Sequence, residues 1–140
     1  MIEAHAQYLA GLMDGEGWVE CKRKNKKSTN GKIYSCWSIR IEIQMAHRGV
    51  IKWLHHVTGY GKCYMKKAYP HQNFDQWRWR CSFRDAYKFA KAIAPHSIVK
   101  KENLQRIVDH YDNQRPKIIK VQPTTNELLH GSNTKTFANN

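Results

Sequence analysis

From Trp37 to Met45 the chain alternates large apolar residues (Trp37, Ile39, Ile41, Ile43, Met45) with polar ones (Ser38, Arg40, Glu42, Gln44). So strict an alternation describes a β-strand with one face in a core and the other face wet. Any fold of this chain must put a layer against one side of that strand and leave the other side open. A second segment repeats the pattern: Trp77, Trp79, Cys81 and Phe83 alternate with Arg78, Arg80 and Ser82. The spacing predicts a strand over 76–83 with the apolar set, Phe83 included, facing inward. A bulge there would exchange Arg78 and Arg80 with Trp77 and Trp79.

The remaining segments supply the covering layer. Residues 4–15 read as a helix that is apolar on more than one side, with Ala6, Leu9, Ala10 and Met13 on one stripe and Tyr8 and Leu12 elsewhere. Such a helix is expected to be buried all round or packed against two surfaces. Strands follow at 17–24 and 35–45, joined by the basic turn Lys24–Lys32 with its Asn-Gly pair. Val50, Trp53, Leu54 and Val57 mark a second helix ended by Gly59-Tyr60-Gly61. Strands at 61–67 and 76–83, a helix through Ala86, Phe89, Ala90 and Ile93, and a last helix over 97–112 complete the order αββαββαα. That is an α+β sandwich, one antiparallel sheet with helices on one face. Residues 1–115 are expected to form this domain. Residues 116–140 are a polar tail with one apolar patch at Leu128-Leu129, flexible or a docking segment.

Composition then limits what the open sheet face can meet. Lys and Arg number 24 against 11 Asp and Glu in 140 residues, a formal net charge of +13. Excess charge of this size repels itself in a compact state and calls for a polyanion, with nucleic acid first and an anionic membrane surface second. No apolar run reaches the roughly 20 residues of a membrane span. The first residues lack the basic and apolar regions of a signal peptide, so an intracellular place is expected. Cys21, Cys36, Cys63 and Cys81 have no CxxC spacing and lie in strand segments, where a free thiol serves as a small hydrophobe.

The first helix ends in Leu9-Ala-Gly-Leu-Met-Asp-Gly-Glu-Gly17. Ala10, Gly11 and Gly15 weaken an isolated helix but let a second backbone come close. Asp14 and Glu16 sit at the end where the helix dipole disfavours negative charge. Gly15 and Gly17 bracket Glu16, so the chain is expected to turn sharply there and present the carboxylate. A carboxylate among free carbonyl oxygens suits a hard divalent cation such as Mg²⁺; the other reading is an ordinary acid-glycine helix stop.

The stretch LAGLMDGEG, within the αββαββα order, resembles the motif of the LAGLIDADG homing endonucleases, and the likeness covers roughly residues 4–112. The resemblance implies the LAGLIDADG fold, with DNA on the open sheet face, and a site-specific, metal-dependent double-strand endonuclease of a mobile intron. It implies metal at Glu16 and the carbonyl of Gly15. Mg²⁺ or Mn²⁺ would support cleavage, and Ca²⁺ would bind without supporting it. Because only one motif is present, it implies a homodimer reading a long pseudo-palindromic site and leaving 3′ overhangs. Ala6, Leu9, Ala10, Gly11, Met13 and Asp14 would form the dimer interface. Lys100, placed after Pro95, would stabilise the transition state or activate water. His47 would orient water, with Gln44 three residues earlier as a base contact and a further catalytic candidate, and Arg48 and Lys52 compete for a second basic role.

On the open face, Trp18, Glu20, Lys22, Lys24 and Lys26 follow Glu16 in alternation. Ser38, Arg40, Glu42 and Gln44 join them from the second strand, then Lys62, Tyr64 and Lys66, then Arg78 and Arg80. Arg, Gln and Glu can bond guanine, adenine and cytosine edges, so this mixture suits base reading. Lys26, Lys27 and Lys32 are expected to hold phosphate from the turn, and Arg48 to contact DNA nearby. The alternative is a non-cleaving intron maturase or a DNA- or RNA-binding protein of the same fold. Glu16 separates the two readings, since a binder has no need of a carboxylate beside the phosphates.

Overall fold

A computed structural model describes residues 1–114; the proposed tail and its Leu128-Leu129 patch lie outside the described residues. The elements are α1 (Glu3–Glu16), β1 (Gly17–Lys27), β2 (Ile33–Met45), α2 (Arg48–Thr58), β3 (Lys62–Lys66), β4 (Gln76–Ser82), α3 (Arg84–Ile93), a 3₁₀ turn (Ala94–His96) and α4 (Lys101–Asp112). The four strands form one antiparallel sheet in the order β1-β2-β4-β3. This is the α+β architecture expected from the alternating segments.

The register keeps the polar residues together in rows. Trp18, Glu42, Arg80 and Lys62 are successive partners across the sheet, as are Gln44, Arg78 and Tyr64, and Glu20, Arg40 and Ser82. No bulge intervenes, so Ile39, Ile41, Ile43, Trp79 and Cys81 share the opposite face and are buried. Leu9 and Met13 of α1, Ile51 and Leu54 of α2, Phe89 and Ile93 of α3, and Leu104 and Ile107 of α4 close over them. Trp79 lies at the centre, fully buried, 4.9 Å from the Phe89 ring, with its indole N–H on the Tyr60 carbonyl at 3.0 Å. Gly61 has a φ of 85°, and a Cβ there would run into the Trp79 ring. Only glycine meets both conditions.

Three boundaries differ from the sequence reading. First, β1 runs on to Lys27, because each residue of the basic stretch keeps a partner on β2; the turn shrinks to residues 28–32. Second, the last helix begins at Lys101 rather than near 97, because residues 94–100 form a 3₁₀ turn and a loop whose N–H groups bond elsewhere. Third, Phe83 does not continue the inward set of β4. It lies just past the strand with a φ of 53° and is 54% exposed. A non-glycine residue held in such a conformation costs on the order of 1–3 kcal/mol.

Candidate active site and nucleic-acid face

Helix α1 runs through the core to the edge of the sheet, and Glu16 is its last residue, exposed, one position before β1. The sharp turn expected at the flanking glycines is made without a left-handed residue: Gly17 is extended, at φ −91° and ψ 156°. Glycine serves there for room, since a Cβ would overlap the Met13 sulfur and carbonyl.

Asp14, two residues earlier, is occupied inside the chain. It accepts from the Ser97 hydroxyl, from the Ile98 N–H at 2.8 Å and from the Lys100 N–H at 3.1 Å. Partial burial raises the Asp14 pKa, but these hydrogen bonds outweigh it and hold the carboxyl below its usual range. A negative charge disfavoured at the end of α1 thus sits where N–H groups converge ahead of α4. The clamp brings the backbone of Lys100 to the helix end that carries Glu16. Ser97, buried at 3% exposure, is a site residue that sequence reasoning missed. No local motif links it to a carboxylate so far away in the chain.

The interface expected on α1 is corrected by burial. Ala6, Leu9, Ala10 and Met13 are at most 6% exposed and belong to the chain's own core, and Asp14 faces Ser97. The outward stripe is Ala4, Tyr8, Gly11 and Gly15, all exposed and spaced along one helix face. A Cβ on Gly11 or Gly15 would meet nothing within 4 Å.

The polar sheet face is a network rather than a row of free side chains. Glu20 is 5% exposed, covered by Lys22 at 3.5 Å, Lys24 at 2.8 Å and Arg40 at 3.4 Å, and it takes the Ser38 hydroxyl. Burial raises its pKa, yet hydrogen bonds from Lys24 and Ser38 and the charges of Lys24 and Arg40 prevail and hold it at about 2. Glu20 is therefore an anchor for the cations around it. Glu42 lies between Arg80 at 2.5 Å and Arg78 at 3.6 Å. Arg78 also holds Gln44 Oε1 through two nitrogens, at 2.7 and 3.1 Å, and the Tyr64 hydroxyl at 3.3 Å. Gln44 thus has its carbonyl oxygen engaged by Arg78. Arg78 and Arg80 both lie 5.5 Å from the Tyr64 ring, and Arg40 lies 5.2 Å from that of Trp18. Trp18, 43% exposed, lies on this face as its alternation with Glu20 and Lys22 predicts.

Other expected residues divide between the two sides. Lys22, Lys24, Lys26, Lys62 and Lys66 share the polar face by register, and Lys32 lies in the turn. Lys27, a neighbour of Lys26 on a strand, points to the opposite side. Arg48 stacks 4.8 Å from the Trp77 ring, on the helix side of the sheet. His47 caps α2, its Nδ1 accepting the Val50 N–H at 3.1 Å, so one ring nitrogen is committed to structure. Lys52 is exposed on α2.

Glu16 and the end carbonyls of α1 offer hard oxygen donors of the kind Mg²⁺ takes, and Mg²⁺ keeps several waters, so few protein ligands suffice. Among the described residues no cluster of three metal-ligating side chains occurs. No helix of the described residues is long and apolar enough to cross a membrane.

No family model matches the sequence, and no curated protein matches it. Solved structures do resemble it. The archaeal intron-encoded homing endonuclease I-Vdi141I, complexed with DNA, is 17% identical over 79% of this chain and 68% of its own, with a TM-score of 0.59. The homing endonuclease I-CvuI, in complex with the I-CreI target in the presence of Mg, is 10% identical over 74% of this chain, with a TM-score of 0.58; this chain spans 62% of it. The LAGLIDADG meganuclease I-AabMI, bound to uncleaved DNA, is 16% identical over 76% of this chain and 37% of its own, with a TM-score of 0.54. The order of helices and strands and the four-stranded antiparallel sheet described above are thus those of the LAGLIDADG homing-endonuclease fold.

Proposed function

We propose that this chain is one half of a site-specific DNA endonuclease, pairing with a second copy to cut both strands of a long pseudo-palindromic site. The observation that carries the reading is the meeting at one helix end of an exposed carboxylate, Glu16, with the Asp14-clamped backbone of Lys100, beside a sheet face rich in Arg and Lys. Paired through Ala4, Tyr8, Gly11 and Gly15, two α1 helices would set two Glu16 carboxylates near a shared axis. A divalent ion held by Glu16 and the Gly15 carbonyl would supply charge stabilisation at the scissile phosphate and lower the pKa of a water. Glu16 would orient that ion, and the Lys100 ammonium would offset charge gathering on the phosphate oxygens. The sheet cations would hold the backbone while Arg78, Arg80 and Arg40 meet base edges.

A cleavage selection on randomised duplex DNA with Mg²⁺ tests this reading. The expected product is a symmetric site with staggered 3′ overhangs. A chain that binds selected DNA and leaves it intact with Mg²⁺ and with Mn²⁺ would instead be a non-cleaving binder of the same fold.

A further inference from the structure

Phe83 is exposed where the alternation of β4 would bury it. Its φ of 53° and ψ of −122° match the first central residue of a type II′ turn, a place that glycine takes freely and bulky residues do not. Hydrogen bonds fix the backbone on both sides: its N–H donates to the Ile39 carbonyl and its carbonyl accepts from the Tyr87 N–H, each at 3.0 Å. The ring is 54% exposed, so it recovers little burial in return for the strain. Glycine would serve the fold better at this position. Strain of this kind marks a place where a side chain is held for a contact outside the chain.

The ring stands at the rim of a cleft of about 250 Å³, beside the point where β4 leaves β2. The cleft is also lined by Lys24, Lys26, Ser38, Arg40 and Ser82, which belong to the polar face by register, and by Trp37 and Ile39 of the apolar set. A ligand for this place must offer negative charge and, within reach of it, an apolar group. Duplex DNA does so in its major groove, where the thymine C5-methyl is the apolar group among polar base edges and phenylalanine is a side chain that packs on it.

We propose that Phe83 is a specificity-determining residue: its ring packs on a thymine methyl in each half-site, while Lys24 and Lys26 meet neighbouring phosphates. The proposal rests on the DNA-binding function argued above and adds a base preference to it.

The test selects binding sites for the wild-type chain and for Phe83→Gly from one randomised duplex library. The thymine in question is then replaced by deoxyuridine, which deletes only the methyl group. Wild type should select thymine at one symmetric pair of positions and lose about fourfold in affinity with deoxyuridine there, the worth of one buried methyl. Phe83→Gly should lose that preference alone, bind both duplexes equally, and melt no lower than wild type. An unchanged preference in Phe83→Gly, or equal binding of both duplexes by wild type, overturns the proposal while leaving DNA binding intact. If wild type selects no DNA, the DNA-binding function falls and this proposal falls with it.

Discussion

The Asp14 carboxylate accepts the backbone N–H of Lys100 at 3.1 Å, joining the end of α1 to the segment that leads into α4. The Ser97 hydroxyl and the Ile98 N–H share the same carboxylate, so a single side chain fixes three donors. Asp14→Ala would leave the buried Ser97 and two N–H groups without an acceptor, at a cost of about 1–3 kcal/mol. Thermal melting should show that loss. Cleavage should fall further than stability explains, because the Lys100 backbone would no longer be tied to the end of α1. A variant that melts low but cuts at the wild-type rate, assayed well below its melting temperature, would separate the clamp from the site.

Glu16 lies exposed at the end of α1 and supports no packing. Glu16→Gln should therefore fold and bind DNA as wild type does, yet lose metal-dependent cleavage by at least a hundredfold, as expected when a group that positions a catalytic ion is removed. Gel-shift and single-turnover cleavage assays on the selected site measure both properties. Continued cutting with Mg²⁺ would refute the assignment of Glu16 to the metal.

Gly11 faces open space, so a side chain added there disturbs nothing within the chain. Gly11→Leu should raise helix propensity and leave or improve the stability of the single chain, by about 0.5–1 kcal/mol for leaving glycine in a helix. Pairing of two α1 helices through the stripe of Ala4, Tyr8, Gly11 and Gly15 requires close backbones, so the same change should abolish it. Sedimentation would then show a folded monomer, and a dimer of undiminished affinity would place the interface elsewhere.

Much of this was legible in the residues because the physics was local. The alternation of Trp37–Met45 and of Trp77–Cys81 follows from the two-residue period of a strand, and the structure keeps it without a bulge. The failures came where a partner far along the chain decides. Asp14 read as an interface residue because its acceptors' partners, Ser97 to Lys100, are remote in sequence. Ala6, Leu9, Ala10 and Met13 looked available for a second helix because small and apolar residues serve a core and an interface alike. The burial of Glu20 was not legible because nothing local reveals that Lys22, Lys24 and Arg40 all reach it. Phe83 broke the alternation because, one residue past the strand, its backbone turns to a φ of 53° as the chain enters α3.

The lowered carboxyl pKa values give stability a definite dependence on pH. Glu20 has an ordinary value of 4.5 and is held at about 2 in the folded chain. A depressed carboxyl stabilises fully above its unfolded value and loses that contribution as pH falls through the folded one. Asp14, lowered from 3.8, acts in the same sense. Melting temperature should thus stay level from neutral pH down to about 5, then fall between about 4.5 and 2. Glu20→Gln should flatten part of that fall, and an unchanged profile in the double variant Asp14→Asn, Glu20→Gln would show that other groups govern it.

Glu20 also sets how much positive charge the sheet face offers to DNA. Its carboxylate is nearly covered and neutralises one of the cations Lys22, Lys24 and Arg40 around it. Glu20→Gln keeps the shape and removes the charge, so a cation once tied to it becomes free for a phosphate. Each added phosphate contact steepens the dependence of log K on log salt by about 0.9. The variant should bind nonspecific duplex more tightly at low salt and show this steeper slope. Its preference for the selected site over random DNA should narrow, because phosphate contacts carry no sequence and Arg40 loses the partner that aims it. Filter-binding titrations across a salt series on both duplexes would measure slope and preference together. An unchanged slope would mean that the cations around Glu20 stay on the protein when DNA binds, and that the Arg78–Glu42–Arg80 group carries the contact instead.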